Sequence, residues 1–226
     1  MSARDAILNR VRHACGRETG LPTGEVASVR SELLKTMPLA VQQRLTNPAP
    51  ATQPAVPPNL TDALITQMES VQMSVVRLQS TDDVVAAVDW YLNEQGIDGG
   101  ITVSPSLKHL DWQSPVRFGA ATGSEQTSVT SAFAAVAETG SIALVSGAST
   151  PATLNFLPEN HLVVLHESQI VEHMEDVWSQ VRDSADLPRA INLVTGPSRT
   201  GDIEQTIELG AHGPRRMHVM LIAADN

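Results

Sequence analysis

The chain has 226 residues, 42% of them hydrophobic and 18% charged, enough for one sizeable globular domain with an arm or for two small domains. No apolar run approaches a membrane span, and the N-terminus lacks the apolar stretch of a signal peptide, so a cytoplasmic location is expected. The formal net charge of −10 is uneven: residues 1–50 hold seven Lys/Arg against four Asp/Glu, the remainder eight against twenty-one, and so acidic a body argues against nucleic-acid binding.

In chain order, Ser2 and Asp5 resemble a capping box, and Ala3, Ile7, Val11 and Ala14 form the stripe of an amphipathic helix over 3–15. The single cysteine, Cys15, falls on it and reads as a small apolar residue. Alone it can close no internal disulfide and hold no cluster. A second helical patch spans 31–45, kinked or split at Pro38. Residues 46–59 carry five prolines and read as a stiff linker. This divides the chain into a helical arm over 1–45, the linker, and a main domain over 60–226.

The main domain alternates. Helices are expected at Ala63–Val71, Asp82–Gln95, Ser128–Val136, Ile170–Val181 and Asp202–Leu209, with a short helix or turn at Pro105–Trp112. Strands are expected at Ser74–Leu78, Ile101–Val103, Val116–Phe118, Ser141–Val145, Leu162–Leu165, Ala190–Val194 and Met217–Ile222. Short apolar strands between helices imply an α/β fold: an open, largely parallel sheet with helices on both faces.

Three turns combine glycine with polar residues. In Thr195–Glu204, a Gly196-Pro197 turn leads to the expected helix at Asp202. Ser198, Thr200 and Asp202 are plausible caps, and Arg199 stands beside backbone N–H groups of residues 200–202, the makings of an anion site. The alternative is a capped strand–helix junction in which Arg199 pairs with a carboxylate. In Ala137–Ser141, Glu138 offers a nucleophile, a general base or a partner for Arg199. Thr139 and Gly140 give close approach for a ligand, or simply cap a helix. His212, before Gly213-Pro214, is a candidate acid or base, or a loop histidine bonded to backbone.

No metal is expected. HExxH, CxxC and EF-hand patterns are absent, and His161 and His166 lie on opposite faces of one strand. His173, His109 and His218 show no ligand pattern. There is no GxSxG elbow, although Ser146, Ser149 and Thr150 stand in a small-residue loop after a strand.

Taken together, Ala137–Leu144, Leu157–Val164, Gly196–Glu204 and Gly210–Pro214 resemble the LUD domain of LutC/YkgG-type lactate-utilisation proteins. The resemblance covers the chain from about Leu60 onward. It implies a fold like that of the NagB/RpiA/CoA-transferase class. It also implies a role with two partner proteins, LutA-like and LutB-like, in oxidising L-lactate to pyruvate. The iron–sulfur clusters of that system belong to the partners, so this chain alone binds no cofactor. CoA-transferase relatives use a glutamate beside a glycine-containing loop as nucleophile, for which Glu138 is the fold-level counterpart.

Three functional readings result. In the first, a subunit without clusters offers a small carboxylate or phosphate site built from Ser198, Arg199, Thr200 and His212 with Glu138, Thr139 and Gly140 nearby. In the second, the chain is an interaction or regulatory module without chemistry of its own. In the third, it is an acyl- or sugar-phosphate-handling enzyme that depends on Glu138.

Overall fold

The computed structural model describes Lys35 and residues 53–184, 187–201 and 207–224. The helices expected at 3–15 and 31–45, Cys15, the first part of the linker and residues 202–206 lie outside this set, except for Lys35, which is helical.

Asn59 opens helix α1 (Leu60–Ser70) by accepting from the N–H of Asp62 at 3.2 Å. The buried stripe of α1 is Ala63, Leu64 and Met68. Burying Leu64 and Met68 stabilises by roughly 2 kcal/mol each. The helix ends at Val71 with Gln72 at φ +66 and the N–H of Met73 returning to the carbonyl of Met68 at 2.9 Å. That left-handed closure usually falls to glycine. Helix α2 (Val84–Gln95) is preceded by a 3₁₀ turn in which Asp83 accepts from the N–H of Ser80. Gly96, at φ +62, closes it.

Strands β1 (Ser74–Leu78), β2 (Ile101–Val103), β3 (Val116–Phe118) and β4 (Thr127–Ser131) join β7 (Asn160–His166) and β12 (Arg216–Ile222) in a six-stranded sheet. Its order is β1-β12-β7-β4-β2-β3, and every pair is parallel. A second sheet, order β8-β5-β6-β9, uses β5 (Ala134–Val136), β6 (Ser141–Val145), β8 (Ile170–Val171) and β9 (Ile191–Val194), with β6 antiparallel to both neighbours. Helix α3 (Met174–Asp183) packs Val177 and Val181 against it. The layers run from α2, through the large sheet, to α1 and the small sheet, then α3.

The open parallel sheet agrees with the expectation, and three helices do not. Ser128–Val136 is not a helix but most of β4 followed by β5. Thr127, Val129 and Thr130 favour extended backbone, and β4 is paired on both sides, by β2 and β7. Ile170 and Val171 pair with Ala135 and Val136, so the helix expected from Ile170 starts at Met174, where Asp176 accepts from the N–H of His173. Asp202–Leu209 is not a helix across its length. Ile207–Leu209 is strand β11, antiparallel to β10 (Arg199–Gly201).

Candidate functional site

The turn after β5 joins two strands, so Thr139 and Gly140 do not cap a helix. The N–H of Gly140 bonds the carbonyl of Val136 at 2.9 Å, and Gly140 sits at φ +68. A Cβ there would lie 2.8 Å from backbone atoms of Gln67 and Met68 in α1. The glycine serves helix packing. Thr139 leads a hydroxyl chain: its Oγ1 lies 2.7 Å from Oγ of Ser141, which lies 2.6 Å from Oγ1 of Thr195.

Glu138 turns towards α3. Its Oε2 lies 2.9 Å from Nδ1 of His173, and Nε2 of His173 lies 3.4 Å from Oε1 of Glu172. The hydrogen bond to Glu138 holds the His173 pKa above its ordinary value; burial opposes this, and the charges of Glu172, Glu138 and Asp176 add to the rise. The histidine thus stands between two carboxylates that favour its protonated form. Glu138 also lines a cleft of about 430 Å³ between α1 and the segment Pro54–Pro57, whose walls include Val56, Asn59, Asp62 and Thr66. Among the described residues its charged lining is Asp62 and Glu138.

The second glycine turn meets the same helix end. Gly196 sits at φ +89, and a Cβ there would lie 2.6 Å from the carbonyl oxygen of Val71. Arg199 donates to that same carbonyl at 3.2 Å. Arg199 itself lies on strand β10, and the cation meets a helix C-terminus, where the dipole favours it. Thr200 lies in the β10–β11 hairpin, where it pairs with Glu208. Ser198 organises the third turn. Its N–H bonds the carbonyl of Pro214 at 2.8 Å, its carbonyl accepts from Gly210 at 2.9 Å, and its Oγ accepts from the N–H of His212 at 3.4 Å.

The turns therefore converge, chiefly on the end of α1. Ser198, Arg199 and His212 form one neighbourhood, while Glu138 with its cleft forms another; neither Arg199 nor His212 lines that cleft. Glu138 takes its hydrogen bond from His173 and Arg199 gives its own to Val71, so the Arg199–Glu138 ion pair is not formed.

Sequence spacing missed His173, whose partner is 35 positions away. It also missed His161, which is fully buried, with Nε2 2.7 Å from Oγ1 of Thr130 and no partner at Nδ1. A cleft of about 770 Å³ beside α2 carries Asp82, Asp89, Asp111 and His109. Among the described residues no group of His, Cys, Asp or Glu is arranged to hold a metal ion.

Comparison with known proteins bears on the whole body. A family model described as the LUD domain matches residues 61–222. Lactate utilization protein C of Geobacillus thermodenitrificans is 32% identical over 104 residues, 43% of each chain. A protein of the same name from Shouchella clausii is 25% identical over 151 residues, 66% of each chain. The match thus spans less than half of the first curated relatives. The crystal structure of a DUF162 family protein from Deinococcus radiodurans superposes with a TM-score of 0.57 at 20% identity, covering 75% of this chain and 99% of that one, a likeness of fold.

Proposed function

Because the chain belongs to the LUD domain family, we propose that it is a cytoplasmic subunit of a lactate-utilisation assembly. In this reading it acts with iron–sulfur LutA-like and LutB-like proteins in oxidising L-lactate to pyruvate, and electrons leave to clusters on those partners. The observation that carries the reading is the match over residues 61–222, joined to relatives named lactate utilization protein C. Two features support it. One cysteine in the whole sequence cannot ligate a cluster. No helix among the described residues is long and apolar enough to cross a membrane.

Within the chain, Glu138 is the group best suited to accept a proton. One of its oxygens is held by His173, and the residue borders an open cleft. Ser198, Arg199, Thr200 and His212 are the weaker candidates for a small anion, since Arg199 already spends a donor on Val71. The test is a strain that depends on L-lactate and lacks this chain, complemented with the full chain or with Glu138→Gln at equal protein level. Growth without the chain removes the subunit role. Wild-type growth with Glu138→Gln removes the proton-accepting role alone.

The non-catalytic reading has its own support: Gly140, Gly196 and Arg199 are all engaged by the end of α1. Its mark is a chain that is required for growth while Glu138→Gln and His173→Gln both grow normally.

A further inference from the structure

A parallel sheet buried on both faces is ordinarily lined by apolar side chains. Half of one face here is not. Register aligns Arg117 of β3 with Thr102 of β2, Thr102 with Ser128 of β4, and Ser128 with His161 of β7. Partners in register project to the same face, so these four form one transverse row. Thr102, Ser128 and His161 have no exposed surface. Thr130 and Ser104, each two residues further along its own chain, lie on the same face, at 4% and 0% exposure.

The place is special in the topology. The chain leaves β2 outward to β3 and leaves β4 in the opposite direction, towards β7. The carboxyl ends of β2 and β4 therefore flank a switch point, where open α/β sheets bind ligands. Small hydroxyls line it. Oγ of Ser131 lies 2.9 Å from Oγ of Ser106, which lies 3.0 Å from Oγ of Ser104, and Ser104 donates to the carbonyl of Ser149 at 2.6 Å. The segment 149–155 covers the row through that bond, through Ser128 donating to the carbonyl of Leu154 at 2.7 Å, and through Ala121 donating to Oγ1 of Thr153 at 3.0 Å. Just beyond it, Phe156 and Leu157 stand exposed.

Two groups in the row have capacity left over. Nδ1 of His161 is buried without a partner. Among the described residues Arg117 bonds through Nη2 alone, to Thr102, the carbonyl of Ala120 and Glu125, which leaves its Nε and Nη1 donors to a ligand. From this geometry we infer that the row Arg117–Thr102–Ser128, with Thr130 and His161 behind it, is the floor of a binding site for a small hydroxy- or keto-carboxylate. The ligand enters at the switch point as segment 149–157 lifts. Its carboxylate meets the open edge of the Arg117 guanidinium. The neighbouring hydroxyl or keto oxygen meets Thr102 and Ser128, one strand spacing of about 4.8 Å apart. Arg117 is already neutralised by Glu125, so recognition rests on hydrogen-bond geometry and the affinity is weak, of millimolar order. The inference rests on the lactate-utilisation reading for the hydroxy- and keto-acid class of the ligand, and on the geometry for its place.

The test titrates the full chain with L-lactate, pyruvate, glycolate and inorganic phosphate, following ligand signals by NMR and amide exchange of residues 146–157 by mass spectrometry. Saturable binding of the hydroxy- and keto-acids is expected, with exchange of 146–157 altered. Arg117→Met should weaken it at least tenfold. His161→Leu, which removes the unpaired nitrogen and also the partner of Thr130 Oγ1, should weaken it severalfold in protein shown by a thermal melt to be folded. Absence of binding by every acid overturns the site even if the chain proves essential for growth on L-lactate. Equal binding by Arg117→Met, loss with Arg199→Met instead, or preference for phosphate each overturns it as well.

Discussion

The two halves of one sheet face differ in what covers them and in how their groups are satisfied. Under α1, β7 and β12 present Val163, Leu165, Val219 and Leu221, and the helix end is clamped by two glycine turns and an arginine. Under segment 149–155 the neighbouring strands present Thr102, Ser128, Thr130 and the second residue of β7, His161. The first half is held by shape. The second is held by directional bonds and leaves a buried nitrogen without a partner. The contrast teaches that the glycine-rich turns, which look most like a site, have their special residues engaged in packing, whereas the less conspicuous Ser/Thr strands carry the unused polar capacity.

Acid should strike the sheet on both faces. Burial pushes the pKa of His161, and of His218 on the opposite face, down to about 4. A base with a depressed folded pKa gives stability that is complete above its unfolded value, near 6.5, and lost as pH falls towards 4. The loss is about 3 kcal/mol per histidine. His173 has the opposite sign: its raised pKa stabilises below its unfolded value and fades as pH rises through the folded one. Urea melts from pH 7 to 4 should show falling stability, with a smaller fall in His161→Leu. A flat profile contradicts the buried neutral imidazoles.

The clamp comes next. Gly140→Ala combines a positive φ with a Cβ 2.8 Å from α1 backbone and should cost about 3 kcal/mol. Gly196→Ala should cost about 2–3 kcal/mol, since the atom met is the carbonyl oxygen of Val71. Thermal melts that move by less than a degree or two would show that the turns are not wedged against the helix. Arg199→Ala removes an exposed hydrogen bond at a helix C-terminus, for about 0.5–1 kcal/mol. The smallest change is a gain. Gln72→Gly relieves a left-handed non-glycine closure and should add about 0.5 kcal/mol, readable as a higher urea midpoint at unchanged slope.

Several elements were legible. Ile101–Val103, Val116–Phe118 and Ser141–Val145 are strands at their expected bounds, and α2 falls within the periodicity of Asp82–Gln95. Strands β4 and β5 were misread because Thr-Ser-Val-Thr-Ser followed by alanines carries no hydrophobic period. Pairing with β2 and β7 turns the extended preference of Thr127, Val129 and Thr130 into a strand. The site suffered likewise. Arg117, Thr102, Ser128 and His161 acquire a common face only through register, which no sequence spacing encodes. His173 and Glu138 meet because β8 pairs with β5.

The strand order also dictates the sequence of folding. The last strand in the chain is second in the sheet, between β1 and β7, and Ser74 pairs with His218 across 144 positions. β1 has no partner in the sheet, and β7 is paired only by β4 on its other side, until β12 has been synthesised, and contacts this distant in sequence form slowly. Until then β7 shows an open hydrogen-bonding edge made of Leu162-Val163-Val164-Leu165, the kind of segment that seeks strands on other molecules. A chain cut short before Arg216 should therefore aggregate rather than persist as a smaller soluble domain, and the intact one should depend on chaperones during synthesis more than its modest size suggests.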